Sequence, residues 1–408
     1  MLCRPLMRFA KATLMTDTPP RPPRTVSATP PIVVAGGGLV GMAAALALAD
    51  RGWSVNLVSG STPPPDGRTV ALMPQSLALL DSLGLADTLA RSGAPLEILR
   101  LIDDSGSLFR PPSVAFEARE LGLERFATNI ENHALLKALS ARIDDHPAIT
   151  VINDQVTGTK DGNGSRQVLL AARQDIETPL LVAADGRRSA IRNALDIRVA
   201  HKAYPQVALT AILRHERDHR FTSTEFHTRH GPFTLVPLPG RCSSLVWLTS
   251  PEKADTLSGL DDDAFGRAVE DQAQSMLGKM ELAGPRGKIG MGIDRIDTIT
   301  APRCVLMGDA AHAFPPIGAQ GLNLGLRDIS DLLACLDHSS DAGAPEVTRG
   351  YQSMRHKDIS TRTLGVDMLN RSLLSPYLPV DFARGAGLLA LASIGPLRQF
   401  VMRQGIGR

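Results

Sequence analysis

The segment PIVVAGGGLVGMAAALALADRGWSVNLVSG, residues 31–60, decides the fold. Ile32 to Ala35 predict a short buried strand, Leu39 to Ala49 an Ala/Leu-rich helix, and Ser54 to Val58 a second strand. Between the first strand and the helix, three glycines follow the pattern GxGxxG: Gly36, Gly38 and Gly41. Such glycines permit a tight turn, close approach of a pyrophosphate and close packing of the helix on the sheet. The segment therefore predicts a dinucleotide-binding βαβ unit, with a glycine-rich turn of an unrelated βαβ unit as the alternative.

The end of the second strand leaves the identity of the nucleotide open. In such units an acidic residue about 20 residues further on holds the ribose hydroxyls. Here the strand ends in Ser59, which can make only part of that contact. NADP is thus an alternative to FAD on this segment alone, since an Arg such as Arg68 could meet its 2′-phosphate.

A second signature lies in LVAADGRRSAIRNAL, residues 181–195. An apolar strand turns at Asp185 and Gly186, and a helical segment with Ser189 and Arg192 follows, in the spacing DGxxSxxR. The segment by itself is equally typical of a strand–turn–helix with a capping Asp and a surface Arg.

A third signature is RCVLMGDAAHAFPPIGAQGLNLGLRDISDLL, residues 303–333. It begins with a buried strand, Cys304 to Met307, after which Gly308 turns the chain and sets Asp309 at the carboxyl end of the strand. Ligands of open α/β sheets bind at that end. Pro315 and Pro316 form a rigid wall with few donors, and a helix begins beyond Gly318.

Together, over roughly residues 31–405, these segments resemble the single-component flavoprotein aromatic hydroxylases in motif, order and interval. The resemblance implies that the GxGxxG turn binds the pyrophosphate of FAD, that Asp309 holds the ribitol chain, and that DGxxSxxR lies near the pyrophosphate. Arg68 matches a position at which the family has an Arg beside the cofactor. The implied cofactor contacts are Gly36, Gly38, Gly41, Ser59, Arg68, Asp185, Gly186, Arg192, Gly308, Asp309, Gln320, Gly321 and Asn323.

By the same resemblance the flavin ring lies against the wall formed by Pro315, Pro316 and Gly318. His312 is a candidate acid or base, although a His in this motif more often caps or hydrogen-bonds the loop. Two residues depart from the family pattern on the adenosine side: Ser59 replaces an acid, and His133 stands where many members have Arg.

Three stretches resemble the ubiquinone-biosynthesis hydroxylases within that family: PPIGAQGLNLGLRD, GPFTLVPLP with SSLVW, and GPLRQFVMRQGIG near the C-terminus. The resemblance implies an FAD-dependent monooxygenase that hydroxylates a polyprenylated phenol through a C4a-hydroperoxyflavin, with NAD(P)H or another electron donor and O2 as co-substrates. The alternatives are a hydroxylase of a soluble aromatic, a prenyl-chain reductase, and a non-catalytic flavin-binding partner in a biosynthetic complex.

The predicted fold class is α/β, with a Rossmann-like FAD-binding domain, an inserted antiparallel β-sheet substrate domain and a C-terminal helical region. We assign residues 31–75, 100–195 and 290–335 to the FAD-binding domain, 76–99 and 196–289 to the substrate domain, and 336–408 to C-terminal helices. In the substrate domain, alternation predicts antiparallel strands with turns near Gly231-Pro232 and Pro239-Gly240. Phe233, Leu235 and Trp247 are candidates for lining the pocket, with core packing as the alternative for Trp247.

Four histidines fall in this middle region: His215, His219, His227 and His230. A metal site is conceivable, but no nearby Cys or closely spaced set of acids completes it. We therefore predict no metal and interpret these residues as lying on solvated strand faces.

The composition limits the partners and the cellular compartment expected for the protein. A net charge of +2 implies no nucleic-acid partner, and the four separated cysteines favour a reducing compartment over a disulfide framework or a zinc site. No apolar run is long enough to span a bilayer. Residues 1–30 are interpreted as a disordered leader or a targeting peptide, with Met15 as an alternative start. The apolar, Arg-containing C-terminus predicts either a packed helix or a peripheral contact with the inner membrane face of a cytoplasmic protein.

Overall fold

The computed structural model of the protein describes residues 30–60, 67–106, 112–313 and 320–374, and for Gln320 and residues 360–374 the backbone alone. The predicted leader, the wall residues Pro315, Pro316 and Gly318, and the chain beyond Leu374 lie outside the described residues.

The elements alternate between strands and helices in the first half of the chain and are mostly strands in the middle. The first half contains β1 (Ile32–Ala35), α1 (Leu39–Asp50), β2 (Val55–Ser59), β3 (Thr69–Leu72), α2 (Pro74–Ser82), α3 (Ala86–Ser92), β4 (Gly93–Leu96), β5 (Ile98–Asp104), β6 (Val114–Glu117), β7 (Ala127–Glu131), α4 (Asn132–Asp144), β8 (Ile149–Asn153), β9 (Val156–Asp161), β10 (Arg166–Leu170), β11 (Ile176–Thr178), β12 (Leu181–Ala183) and α5 (Ala190–Ala194). The second half contains β13 (Val199–His215), β14 (Thr222–Thr228), β15 (Gly231–Leu238), β16 (Cys242–Thr249), α6 (Pro251–Ser258), α7 (Asp262–Gln272), β17 (Met280–Leu282), β18 (Gly287–Ile296), β19 (Thr300–Ala301), β20 (Cys304–Leu306), α8 (Gln320–Leu336) and α9 (Pro345–Leu374).

The first βαβ unit forms as the sequence predicts. β1 pairs in parallel with β2 on one side and with β12 on the other, and β12 pairs in parallel with β20. Among the described residues the sheet runs β19-β20-β12-β1-β2-β8. The helix α1 is buried from Gly41 to Ala49 because its small side chains let it pack closely between α4 and α8. The predicted α/β fold is confirmed, and the core of this part lies around β1 and α1.

A second, larger sheet has the order β17-β13-β16-β15-β14-β5-β6, and β18 also pairs with β13. Successive side chains on its strands point to opposite faces. One face therefore forms an apolar core under α6 and α7, with Phe226, Phe233 and Trp247 at its centre. The turns near Gly231 and Gly240 connect antiparallel neighbours as predicted. We call the other face of this sheet, which carries Thr210, Thr234 and Val246, the inward face.

The inward face contacts the first sheet's domain through a small sheet of order β3-β7-β4. Ser244 accepts hydrogen bonds from Thr69 Oγ1 on β3 (2.8 Å) and from Asn129 Nδ2 on β7 (3.2 Å). Asn129 Nδ2 also donates to the carbonyl of Pro237 (2.9 Å). These bonds join the two parts of the molecule at the end of the sheet near Arg68, the residue that precedes β3.

Two predicted domain boundaries are wrong. Residues 100–117 were assigned to the FAD-binding domain, but β5 pairs with β14 and β6 pairs with β5, so both belong to the larger sheet. Residues 76–96 were assigned to the substrate domain, but Leu80, Leu83 and Leu85 pack in the core around α1. In the described part of the predicted C-terminal helical region, Tyr351 of α9 is buried in that same core.

No helix among the described residues is long and apolar enough to cross a membrane.

Candidate functional site

The three sequence signatures meet at one edge of the parallel sheet. Ala35, Ala183 and Leu306 lie side by side in register at the carboxyl ends of β1, β12 and β20. The chain therefore leaves the sheet at the same edge in three turns: the glycine turn, the Asp185-Gly186 turn and the Gly308-Asp309 turn. Ligands of open α/β sheets bind at this edge, where the loops form a crevice.

The glycine turn shows why the pattern needs glycine at each position. Gly36 has a φ of +122°, and a Cβ built on it would lie 2.2 Å from the carbonyl oxygen of Ala184. A Cβ on Gly41 would lie 2.0 Å from the oxygen of Gly36, so these two positions serve packing. At Gly38, in contrast, a Cβ would meet nothing within 4 Å. Gly38 leaves open space in front of α1, whose N-terminus has no side-chain cap and no acid in its first turn.

Ser59 lies at the end of β2, beside the glycine turn. A Cβ on Gly37 would lie 1.9 Å from Ser59 Oγ, and this hydroxyl donates to the carbonyl of Gly60 (3.1 Å). The strand thus places Ser59 where an acid holds ribose hydroxyls in related βαβ units. His133, the other departure from the family pattern, is exposed in the first turn of α4.

The second signature forms a capped turn. Ser189 Oγ accepts from the backbone N–H of Arg192 (2.9 Å), and Asp185 Oδ2 accepts from the N–H of Ile191 (3.2 Å). Asp185 Oδ1 is buried and has no hydrogen-bond partner among the described residues. Since buried polar atoms are normally paired, this oxygen is available for a ligand group with a donor.

Arg192 connects the second signature to the third. Its guanidinium donates to the carbonyls of Ala310 (3.0 Å) and Arg187 (2.7 Å), and the residue is buried. The residue therefore holds two loops together. A direct contact between Arg192 and a cofactor stays a prediction. The Nε of Arg192 is buried without a partner among the described residues, so it is the donor available for such a contact.

Asp309 lies in a recess lined by positive charge. Its side chain is accessible to solvent, yet the surrounding protein desolvates the carboxyl group, and this burial raises its pKa. His312, Arg68 and Arg187 act in the opposite direction by their charge, and Asp294 adds to the increase. A carboxyl group in such a recess can donate or accept a hydrogen bond, as a polyol ligand requires.

His312 is buried behind the Asp309 turn. Its Nε2 lies 2.8 Å from Asp328 Oδ2, which also accepts from the N–H of Gly308 (2.8 Å). Arg355 Nε donates to the other oxygen of Asp328 (2.6 Å). Burial alone would lower the pKa of Arg355, but the charge of Asp328 and a hydrogen bond to Asp331 raise it. The structure places His312 in a network that fixes the loop, which is the alternative to direct acid–base chemistry.

The remaining predicted contacts lie at the start of α8. Asn323 is buried, and its Oδ1 accepts from the N–H of Met73 (2.9 Å) and from Ser76 Oγ (2.7 Å), while its Nδ2 donates to the carbonyl of Ala71 (2.9 Å). It therefore ties α8 to the segment after β3. A Cβ on Gly321 would meet nothing within 4 Å, so the backbone there is open. The side chain of Gln320 lies outside the described residues.

A charged cluster that sequence analysis missed lies beside the second signature. Arg187 donates to both oxygens of Asp294 (2.8 and 3.1 Å), and His201 Nδ1 lies 2.5 Å from Asp294 Oδ1. Burial would raise the pKa of Asp294, but the hydrogen bonds from Arg187 and His201 outweigh it and lower the pKa. The cluster anchors the turn after β12 to β13 and β18. The sequence signal was only the first Arg of GRRS, Arg187, which nothing local connects to Asp294.

Two expectations for the larger sheet are wrong. Phe233 and Leu235 do not line the inward face, because they pack in the core under α6 and α7; Trp247 packs there too, which is the core-packing alternative given for it. Three of the four histidines are not solvated: His215, His219 and His227 are largely buried, and His230 alone of the four is exposed. His215 Nδ1 lies 2.7 Å from the carbonyl of Arg217, and its Nε2 lies 3.0 Å from Ser243 Oγ. Within the described part of the chain, no cluster of three metal-ligating side chains occurs.

Residues 29–362 match the protein family described as FAD binding domain. The ubiquinone hydroxylase UbiL of Rhodospirillum rubrum is 32% identical over 387 residues, which cover 92% of this chain and 89% of that protein. The 3-demethoxyubiquinol 3-hydroxylase of Escherichia coli is 27% identical over 92% of this chain and 98% of its own.

Solved structures have the same fold at lower identity. The p-nitrophenol 4-monooxygenase of Pseudomonas putida superimposes with a TM-score of 0.77 at 17% identity, covering 93% of this chain and 98% of that one. Klebsiella pneumoniae HpxO, solved with FAD and uric acid, gives a TM-score of 0.73 at 18% identity, with 92% and 96% covered.

Proposed function

Because this chain belongs to the FAD-binding-domain family, we propose that it is an FAD-dependent monooxygenase that hydroxylates the aromatic ring of a polyprenylated phenol in ubiquinone biosynthesis. The observation that carries the proposal is the convergence of three nucleotide-type loops at one sheet edge, in a part of the molecule that hydrogen-bonds to the inward face of the second sheet through Ser244. Two relatives that match along nearly the whole chain, from Rhodospirillum rubrum and Escherichia coli, are ubiquinone-type hydroxylases.

The residues at the sheet edge fit FAD. Gly38 leaves room where a side chain would stand, and the uncapped N–H groups of α1 behind it favour a pyrophosphate. Asp185 Oδ1 is a buried acceptor with no partner among the described residues, and Asp309 offers a carboxyl group to ribitol hydroxyls. Ser59 supplies one hydroxyl toward the adenosine ribose instead of a carboxylate.

Bound FAD, reduced by NAD(P)H or another donor, supplies the activation of O2 that ring hydroxylation needs. The protein supplies orientation and exclusion of water. Arg192 and the His312–Asp328 pair hold the loops in place, and Arg68 and Arg187 surround Asp309 with positive charge.

The inward face has apolar residues that can contact an apolar substrate. Ala208, Leu248 and Met291 form a small apolar cluster on it, and Tyr204, Val246 and Ile289 pack against that cluster. The partly buried Tyr204, Val246 and Ile289 leave apolar surface that gains free energy when prenyl carbons cover it, at about 25 cal/mol per Å², whereas the cluster beneath them is already buried. A polyprenylated phenol therefore fits this face better than a highly charged aromatic does.

A substrate with a prenyl tail resides in a bilayer, so we extend the proposal to peripheral membrane contact. The apolar C-terminal segment with Arg384, Arg398 and Arg403 would provide it. The full chain should co-sediment with vesicles that contain anionic lipid and less with neutral vesicles, since Lys and Arg are attracted to anionic surfaces. Equal absence from both pellets would contradict this contact without affecting the enzymatic proposal.

Two experiments test the function. The purified protein should carry FAD, and its oxygen consumption should rise when a short-tailed prenylphenol is added with NAD(P)H; stimulation by water-soluble phenols alone would instead favour a hydroxylase of soluble aromatics. Deletion of the gene should cause a quinone precursor to accumulate that mass spectrometry identifies as lacking one hydroxyl group. An unchanged quinone profile, or a colourless protein that does not bind FAD, would contradict the proposal.

A further inference from the structure

A carboxylate–imidazole pair lies on the inward face. It is separate from the three turns that follow β1, β12 and β20, which we call the cofactor loops. Glu225 and His227 are two residues apart on β14, so their side chains lie on the same face. His227 Nε2 lies 2.8 Å from Glu225 Oε1, and Thr234 Oγ1 on β15 donates to Glu225 Oε2 (3.4 Å). The neighbour between them, Phe226, points into the core on the opposite face.

The pair fixes which nitrogen of His227 can accept a hydrogen bond. An ionised carboxylate only accepts, so Nε2 must carry the hydrogen that it donates to Glu225. In a neutral imidazole the other nitrogen, Nδ1, is then an acceptor. His227 Nδ1 is buried and has no hydrogen-bond partner among the described residues. Because buried acceptors are normally paired, this atom requires a donor that the described part of the chain does not supply.

The strand registers place the pair in a row across the inward face. Glu225 pairs with Thr234, Thr234 with Val246, and Val246 with Thr210. Thr210 Oγ1, at the other end of the row, is also buried without a partner among the described residues. The row therefore has an unsatisfied polar atom near each end and an apolar residue, Val246, between them.

The same face is linked to the Asp309 recess. Ser244, two residues from Val246 on β16, contacts Thr69 of β3, and Arg68 directly before Thr69 acts on Asp309 by its charge. The inward face and the Asp309 recess are therefore connected through the start of β3.

We propose that His227 accepts the hydrogen bond of the ring hydroxyl of a phenolic substrate and that Glu225 positions it by holding its tautomer. This inference rests on the proposed function. When His227 accepts the hydrogen bond of the phenol hydroxyl, the electron density of the ring increases. A more electron-rich ring favours transfer of an electrophilic oxygen. The hydrogen bond also selects a free phenol over an aromatic ether, because an ether has no hydrogen to donate and would leave Nδ1 unsatisfied.

The test compares a short-tailed prenylphenol with its O-methyl ether. Binding of each to the FAD-loaded protein is measured without NAD(P)H, from the change in the visible flavin spectrum. The unaltered protein should prefer the phenol by about tenfold or more, which one buried hydrogen bond of ~1.4 kcal/mol provides. In His227→Phe the preference should fall to within about twofold, mainly through weaker binding of the phenol.

Two variants separate hydrogen bonding from a structural role. In Glu225→Leu nothing accepts from Nε2, so Nδ1 can carry the hydrogen and the preference should fall although the imidazole remains. His227→Asn retains an acceptor near the position of Nδ1 and should keep part of the preference. His230→Phe, at an exposed histidine of the same hairpin, is the matched control and should bind both ligands as the unaltered protein does.

The outcomes distinguish this inference from the proposed function. If the unaltered protein binds neither FAD nor any prenylphenol, the proposed function fails. If it hydroxylates the phenol while His227→Phe and Glu225→Leu keep the full preference over the ether, the role of His227 is overturned and the proposed function stands. Should His227→Phe fail to fold by circular dichroism, Glu225→Leu decides the question.

Discussion

At the residue scale, Gly38 and Gly41 look alike in the GxGxxG pattern but differ in what a side chain would meet. We predict that Gly38→Ala leaves the stability of the apoprotein within ~0.5 kcal/mol, since its φ of −81° suits Ala and its Cβ would face open space. The added methyl group would instead occupy the pyrophosphate space and lower FAD affinity by about tenfold or more, for a loss of ~1.4 kcal/mol. Flavin fluorescence titration and urea unfolding of the apoprotein measure the two effects.

Gly41→Ala is the matched comparison. Its Cβ would lie 2.0 Å from the oxygen of Gly36, so the apoprotein itself should lose about 1–3 kcal/mol of unfolding free energy. Equal stability losses in the two variants, or unchanged FAD affinity in Gly38→Ala, would show that the space in front of α1 does not hold the pyrophosphate.

The sequence allowed the loop residues to be predicted, but not the tertiary partners of the residues around them. Gly36, Asp185 and Asp309 follow parallel strands, and strand, turn and helix are local patterns. Arg192, in contrast, donates to Ala310, and Asn323 contacts Met73 and Ser76, residues far away in the chain. No local pattern specifies such partners, so both residues could be predicted as part of the site but not as the links that they form.

At the scale of elements, α8 and α9 are joined by a buried ion network centred on Asp328. Removing one member of a buried ion pair leaves the other charge uncompensated and costs about 3–5 kcal/mol. Because Arg355 also contacts Asp331 and Asp358, we predict a loss near the lower end, about 3 kcal/mol, for Asp328→Asn in urea unfolding. The Gly308 turn would lose its anchor, so FAD affinity should fall as well.

Asp337→Asn is the control for this network. Asp337 pairs with Arg51 across exposed surface, where such pairs contribute under ~1 kcal/mol. If both substitutions change stability by the same small amount, the Asp328 network does not hold the two helices together.

The end of β13 predicts a pH dependence of stability. Burial lowers the pKa of His215, and the hydrogen bond with the carbonyl of Arg217 only partly offsets this. As pH falls through the ordinary value of 6.5, the unfolded chain therefore takes up the proton before the folded protein does. The contribution of neutral His215 is present above that pH and is lost as pH falls below it.

The measurement is urea unfolding of the unaltered protein and His215→Gln between pH 7.5 and 5.5. The stability advantage of the unaltered protein should shrink as pH falls, because Gln does not titrate. His230→Gln, at an exposed histidine, is the matched control for replacing an imidazole by an amide. A growing advantage at low pH would mean that folding raises the pKa of His215.

The sequence is least informative about which sheet or core each strand and helix belongs to. Alternation predicted the strands of the second sheet, but β5 and β6 join it through pairing of β5 with β14, a contact between distant segments. The leucines of α2 and the following loop are equally compatible with either core by pattern alone. Their assignment depends on packing against α8, which only the fold supplies.

At the scale of the whole molecule, the two sheets are joined by hydrogen bonds at two places rather than stacked as independent units. Ser244 bonds to Thr69 and Asn129 at one of them, and Arg187 bonds to Asp294 at the other. The turn after β12 and the start of β3 are thus both connected to the larger sheet. A ligand bound at these turns stabilises both parts if they unfold together.

The two tryptophans of the chain report on the two parts separately. Trp53 packs against the core around α1, and Trp247 lies in the core under α6 and α7. We predict that FAD at about 100 times its Kd raises the unfolding free energy by ~2.7 kcal/mol at both probes. Urea titrations of Trp53→Phe and Trp247→Phe, followed by the wavelength of the emission maximum, measure this shift. If FAD moves the transition seen by Trp53 but not that seen by Trp247, the larger sheet unfolds on its own, and the hydrogen bonds of Ser244 and Asp294 do not couple it to the cofactor loops.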